Sequence, residues 1–295
     1  MKRVALLLLA ATLSIHADEG RFKALWYNGN AEISTYSLVE SRYGEPRNGY
    51  RIMVFVTELM RLATHIKPDV KCPDDQMIRV IKLNDLRKFT TGIYEYSVMT
   101  SVFASVEQKA PYANMSTMKV SFSSQEWCGQ VFDRLVRTPD AYQGVLYSYF
   151  ESEGEAPYVL DAAGVECEDN LWTRTRELNG PLLKEGETMS MKLIPSRWIN
   201  RKLHAPTTIQ DATITKGKSV NMLTALGTMS VVRFEWKIAG ASTTVHVESK
   251  YPHRIMAFTE RDGSSGKLIA SRRSPYWQEN KSGHRNIRTS LGLPD

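Results

Sequence analysis

The most enzyme-like site in the sequence is Cys128, set in the string EWCGQ (126–130). A cysteine attacks an acyl carbon when a base lowers its pKa and a helix N-terminus steadies the thiolate. His204, His246 and His253, all downstream, are the candidate bases. Trp-Cys-Gly also opens the thioredoxin redox motif, but Val131 stands where its second cysteine would be. Against both chemistries stands the plainer reading, a buried cysteine packed beside Trp127 and Val131. The six histidines (His16, His65, His204, His246, His253 and His284) form neither a His-x-His nor a His-Glu-x-x-His pattern, so no zinc site is expected. Glu151, Glu153 and Glu155 fall on one face if the chain there is a strand. A glycosidase pair or a calcium site is built from such carboxylates, and a solvated loop explains them equally. No GxSxG elbow, Walker loop or dinucleotide fingerprint is present, and no cofactor is expected.

The elements that would position these groups are mainly strands. In Tyr50 to Glu58, Ile52, Val54 and Val56 share one face, and Met53 and Phe55 the other. Met77 to Asn84 alternates in the same way, and Thr91 to Phe103 is rich in the aromatic and β-branched residues that fit a pleated surface. About a dozen such segments follow one another at regular spacing, the signature of a sandwich, barrel or curved sheet. The turns GEPRNG (44–49) and RDGSSGK (261–267) carry the Asn-Gly and Asp-Gly pairs of tight hairpins. Helices are expected at Ser123 to Val136, where Trp127, Val131 and Leu135 recur at i, i+4, i+8, and at Cys167 to Gly180, capped by Asp169 or Asn170 and stopped by Gly180. The fold class is therefore mainly β: a large curved antiparallel sheet or half-barrel with two or more short helices.

The N-terminus places Lys2 and Arg3 before an apolar run, Val4 to Leu13, and closes with Ala17. This order of charged, apolar and small residues reads as a secretory signal peptide over 1–17, with a periplasmic or secreted β-rich domain over 18–295. The run is shorter than the ~20 residues a bilayer-spanning helix requires, and no transmembrane segment is expected. A break at Pro195 to Pro206 is where two sheet halves would divide. The formal net charge of +6 falls to +4 once Lys2 and Arg3 are removed, and it is spread along the chain. Nucleic-acid binding is not expected, because a basic stripe interleaved with aromatics is missing. The densest basic stretch, Arg272 to Arg288, reads as a solvated face or as a weak attraction for anionic lipid or polysaccharide. Three cysteines entering an oxidising compartment leave one unpaired. Cys72 and Cys167 lie in polar, loop-like strings and are the expected pair.

Several strings taken together resemble a known family: WYNGNAEISTYSLVESRYGE, VFVTE, VIKLNDLRKFTTGIYEYSVMTSVF, SSQEWCGQVFDRL, YSYFESEGE and EDNLWTRTREL. The family is one of exported, largely uncharacterised bacterial envelope proteins, some labelled septum formation inhibitor Maf, and the resemblance runs from Trp26 to Trp277. True Maf proteins are cytoplasmic nucleotide pyrophosphatases of α/β fold, so the export signal and β pattern set that label aside. A looser likeness, by pattern, is to periplasmic lipoprotein carriers, whose curved sheets hold acyl chains. Large residues occur on both faces of YRIMVFV and GVLYSYF. Two packed faces would explain them; so would one core face and one face lining an apolar cavity. On the second reading Tyr94, Tyr96, Tyr147, Tyr149, Phe234, Trp236 and Phe258 line a site for a lipid or acylated ligand, bound without catalysis. The alternatives are a thiol enzyme using Cys128 and a structural partner in an envelope complex.

Overall fold

The computed structural model describes residues 20–294. The expected signal peptide, with His16, lies outside them. A short helix over 20–26 (α1) leads into fifteen strands. The first eight are β1 (Ala31–Arg42), β2 (Glu45–Arg61), β3 (Met77–Thr91), β4 (Tyr94–Ser105), β5 (Thr117–Glu126), β6 (Gly129–Arg137), β7 (Ala141–Ser148) and β8 (Glu155–Asp161). Then come β9 (Val165–Cys167), α2 (Glu168–Arg174), β10 (Thr188–Ile194) and α3 (Arg197–Leu203). The chain finishes with β11 (Gln210–Thr224), β12 (Gly227–Ile238), β13 (Ala241–Glu248), β14 (Ile255–Thr259), β15 (Ser265–Ser274) and a last helix, α4 (Asn286–Ser290).

All fifteen strands belong to one sheet in the order β8 to β1, then β15 to β9. Every neighbouring pair is antiparallel except β9 and β10. The first and last strands pair in the middle of the sheet, Ala31 opposite Ser274. The two free edges, β8 and β9, are consecutive in the chain and joined by the turn over 162–164. The sheet curls into a nearly closed barrel. Its ends approach each other where the Tyr142 hydroxyl on β7 donates to the Val165 carbonyl on β9 (3.4 Å).

The alternation read from sequence is the alternation of the wall. On β3, Ile81, Leu83, Asp85, Arg87 and Phe89 are buried, whereas Lys82, Asn84, Leu86 and Lys88 alternate with them on the outer face. From Lys82 to Lys88 that outer face is largely polar, whereas Ile78 and Val80 on the same side are buried in a separate apolar cluster. A barrel of about 8 strands is filled by its own side chains, and one of about 16 leaves an open lumen. Here the lumen is filled by helix: Glu168 to Thr173 of α2 and Arg197 to Arg201 of α3 are all buried. Leu171 and Trp172 join the main apolar cluster with Phe55, Leu83, Trp236 and Phe258, and Trp198 caps a second one with Phe89, Tyr96 and Phe122.

The expected helix at Ser123 to Val136 is instead the β5–β6 hairpin, with Trp127 and Cys128 at its turn. A separation of four is even, so Trp127, Val131 and Leu135 share a face on a strand as well as on a helix. Asp133 points inward between the last two and masks the alternation. The second expected helix exists but is shorter, Glu168–Arg174, with Cys167 at its N-cap in place of Asp169 or Asn170. The segment Pro195 to Pro206 does not end the sheet, because β10 and β11 on either side of it pair directly.

Between the two apolar clusters lies a layer of paired charges. Arg51 bonds Asp85 through two contacts of 2.6 Å, and Arg87 bonds Glu260 through contacts of 2.6 and 2.8 Å. Glu40 accepts from Arg87 (3.2 Å), from Lys202 (2.5 Å) and from the Trp198 indole (2.8 Å). Burial alone would raise the Glu260 pKa; the Arg87 charge and hydrogen bonds outweigh it and hold the carboxyl at about 2. Since the folded value lies below the unfolded one, this pair stabilises the fold above the ordinary carboxylate range and loses its effect as pH falls toward about 2. Burial raises Glu168 and Asp169, which act in the opposite sense. Acid unfolding of wild type and Glu260→Gln, followed by circular dichroism, should show a flatter acid limb in the variant. At neutral pH the variant should lose about 1–3 kcal/mol, because Arg87 loses its two-contact partner but keeps Glu40 (3.2 Å) and Asp85 (3.7 Å) beside it.

A cross-strand glycine makes room for an aromatic ring. Tyr158 lies over Gly144, and a Cβ there would stand 2.1 Å from the ring. The Tyr158 hydroxyl donates to Asp133 (2.7 Å), which fixes the ring in place. Gly144→Ala should therefore cost about 1–3 kcal/mol in urea denaturation. An unchanged midpoint would mean that Tyr158 swings aside freely.

Candidate ligand-binding site

The turns joining β1 to β2, β12 to β13 and β14 to β15 converge on one end of the barrel, together with the 195–209 segment that carries α3. Helix α3 follows Pro195, with Ser196 at its N-cap. It ends at His204, which adopts φ +50°. Its first amides are satisfied by α2: Ser196 N donates to Glu168 (2.8 Å) and Arg197 N to Asp169 (3.1 Å). The Arg197 side chain bonds Asp133 (3.3 Å), and Lys202 bonds Glu40 and Asp262. Through these contacts the ionic layer of the lumen fixes the helix.

A cavity of about 600 Å³ lies against the outer side of α3. Ile199, Leu203, Pro206 and Ile238 supply much of its apolar wall, and Arg42, Lys202 and Arg261 its cations. Lys202 and Arg261 already pair with carboxylates, Arg261 with Glu168 at 3.3 Å. Arg42 pairs with no carboxylate among the described residues. It packs 4.2 Å from the Tyr43 ring centre and donates to the Tyr96 hydroxyl (3.3 Å). Burial works against its charge, but the Tyr96 and Tyr43 contacts prevail and raise its pKa. Asn200 also lines the cavity, and its buried amide nitrogen has no hydrogen-bond partner among the described residues. A buried donor left unpaired costs about 1–3 kcal/mol, so a ligand oxygen placed there is favoured.

A second recess of about 370 Å³ shares Arg42, Tyr43 and Lys202 with the first and adds Glu126, Cys128, Phe150, Arg201 and His204. Cys128 is exposed in its turn, not packed in the core. The side chain of Glu126 accepts from the Cys128 amide (2.6 Å), and its hydrogen bond to the thiol, then its negative charge, push the Cys128 pKa up. His204 shares the recess, but its Nδ1 is engaged by Glu153 (2.5 Å). His246 lies on β13 and His253 in the β13–β14 loop, at neither recess. The expected Cys72–Cys167 disulfide is not formed: all three cysteines are free. Cys167 is buried at the start of α2 with its pKa raised by burial, whereas Cys72 sits half-buried in the β2–β3 loop, its thiol on the Val70 carbonyl (3.2 Å).

The seven aromatic residues expected to line one cavity do not meet. Phe234, Trp236 and Phe258 are buried in the main cluster, and Tyr96 is stacked on Phe89 in the second. Tyr94 lies half-buried near Tyr96 and Trp127. Tyr147 and Tyr149 face outward along a surface depression with Phe132. Of the three glutamates, Glu153 turns in to bond Arg201 (3.1 Å) and Ser148 (2.6 Å), and Glu151 and Glu155 are exposed. Sequence reasoning missed Arg42, Ile199, Asn200 and Lys202. The signal was the string PSRWINRKLHAP, a proline-bounded stretch with apolar residues at 198, 199 and 203.

Among the described residues no three His, Cys, Asp or Glu side chains are grouped to hold a metal, and no helix is long and apolar enough to cross a membrane. Comparison with protein-family models, curated proteins and solved structures finds no match to this chain.

If Glu126 suppresses the Cys128 thiolate, Glu126→Gln should speed alkylation by iodoacetamide severalfold at neutral pH, measured by mass spectrometry of the modified peptide. An unchanged rate would show that the carboxylate exerts no control.

Proposed function

We propose that this protein is an exported envelope protein that binds an anionic amphiphile, such as a fatty acid or an acylated partner, without transforming it. The observation that carries the reading is the α3-end cavity, in which an apolar wall adjoins Arg42 and the unpaired amide of Asn200. An acyl chain suits Ile199, Leu203 and Ile238, and a carboxylate or phosphate suits Arg42 and Asn200. The volume, about 600 Å³, lies within the ~300–1,000 Å³ of small-molecule sites. The ligand would sit at the barrel's mouth, since α2 and α3 fill the lumen. The export signal at 1–17 and the resemblance to envelope proteins support a periplasmic or secreted setting.

Displacement of a fluorescent fatty acid tests the reading. Arg42→Gln should weaken binding of the acid about tenfold, the size of one lost charge-assisted hydrogen bond, and leave its methyl ester unaffected. Leu203→Glu, at an exposed position of the wall, should weaken both. No saturable binding by wild type, or equal loss of acid and ester in Arg42→Gln, would overturn the assignment.

A further inference from the structure

At the opposite end of the barrel β11 and β12 leave the wall. β10 pairs with β11 only as far as Thr215, and β13 pairs with β12 only from Val231 onward. Between them the chain forms a ribbon whose strands pair only with each other from Met222 opposite Met229 to Thr224 opposite Gly227; Met222 and Met229 pack toward the main apolar cluster, and Ser230 at the base accepts from the Ser249 amide (2.9 Å). An isolated two-stranded hairpin is marginal in water and gains from a surface on which to lie. Residues 219–230 read SVNMLTALGTMS and contain no charged side chain. None of them is buried; Leu223 is 82% exposed, Val220 51% and Leu226 43%. These are the large apolar residues that a ribbon in water would not be expected to present together.

The base of the ribbon is cationic. Lys218 precedes it on β11. Lys250 follows Ser249, whose hydroxyl contacts those of Ser219 (2.9 Å) and Ser230 (3.1 Å). Both lysines are exposed, and neither makes an ion pair among the described residues. Carboxylates at this end are mostly committed elsewhere: Glu248, opposite Val231, holds Arg254 (2.9 Å), Glu177 holds Lys216 (2.5 Å), and Glu187 caps the Lys184 amide (2.8 Å). The chain also enters the fold at this end. Trp26 of α1 donates to the hydroxyl of Tyr251 (3.1 Å), next to Lys250.

An uncharged apolar tip above a lysine collar matches the layering of a bilayer surface, acyl chains beneath anionic headgroups. We propose that the 219–230 ribbon docks on an anionic lipid surface, with Leu223 and Leu226 entering the acyl boundary and Lys218 and Lys250 on the headgroups. The assignment is independent of the ligand cavity, which lies at the other end of the barrel.

The test places an environment-sensitive nitrobenzoxadiazole dye on Ala225→Cys in a Cys72→Ser/Cys128→Ser background. With vesicles of phosphatidylcholine containing about one-third phosphatidylglycerol, dye emission should rise severalfold and shift to the blue. Lys218→Glu/Lys250→Glu should lower the partition coefficient at least about tenfold, at about tenfold for each 1.4 kcal/mol. Leu223→Ser/Leu226→Ser should do the same, and both pairs alter exposed side chains only. Circular dichroism of each variant confirms that the barrel is intact. No emission change with anionic vesicles, an equal response to pure phosphatidylcholine, or a rise that tracks protein concentration without lipid would overturn the proposal, the last in favour of contact between copies of the chain. None of these outcomes bears on fatty-acid binding at Arg42.

Discussion

A fifteen-stranded sheet that curls on itself encloses more space than its inward side chains fill. The rest of the structure follows from that constraint. Two short helices are drawn into the lumen, and a seven-residue helix brings its own backbone ends with it. Those ends need partners, and in the interior only side chains can provide them. Glu168 and Asp169 at the head of α2 serve the head of α3. The charges this introduces are balanced by arginines and lysines projecting from the wall and from α3. Arg51, Arg87 and Arg197 thus bridge space that an aliphatic side chain could not span. A charged layer of this kind is weak evidence for net stability, because desolvation offsets much of the attraction. Its geometry does fix where the helices stand, and the cavity is a by-product of where α3 stands.

The wall was legible in the sequence because a half-buried strand repeats every two residues, and side chains such as Ile81, Leu83 and Phe89 obey that period regardless of their distant partners. Where the pattern misled, it did so for an identifiable reason. Trp127, Val131 and Leu135 satisfy both periods, and the inward Asp133 removes the residue that would have separated them. The filling of the lumen was not legible, because it depends on pairings between segments far apart in the chain. Glu40 meets Arg87, Lys202 and Trp198, and no local window contains that set. Six of the seven aromatic positions do lie on strands, whereas Tyr149 falls just past the end of β7. Their assignment to a single cavity required knowing that α2 occupies the space they face.

The two proposed surfaces differ in kind for the same structural reason. At the α3 end, helix and turns crowd together and leave a concave recess with fixed cations. At the other end, β11 and β12 outrun their neighbours and leave a projecting edge with exposed lysines at its root. Concavity suits a small ligand held by a few directional contacts, whereas a projecting apolar tip suits a broad surface without specific partners. Strands of a dozen residues, each about 40 Å long at roughly 3.3 Å per residue and tilted to the barrel axis, run between the two ends.

The pairing of β1 with β15 sets the order of assembly. Each half of the sheet is a run of local hairpins that can form as its residues become available. The seam between the halves joins residues more than 200 positions apart, Ala31 with Ser274. Closing so long a loop carries an entropic cost that only the completed seam repays, so the chain belongs among slow, high-contact-order folders. Until β15 arrives, one side of β1 presents an unpaired row of backbone donors and acceptors, open to strands of other chains. Growth from the N-terminus therefore leaves this protein vulnerable until nearly its final residues, and a chaperone that shields the β1 edge would protect it for most of its synthesis.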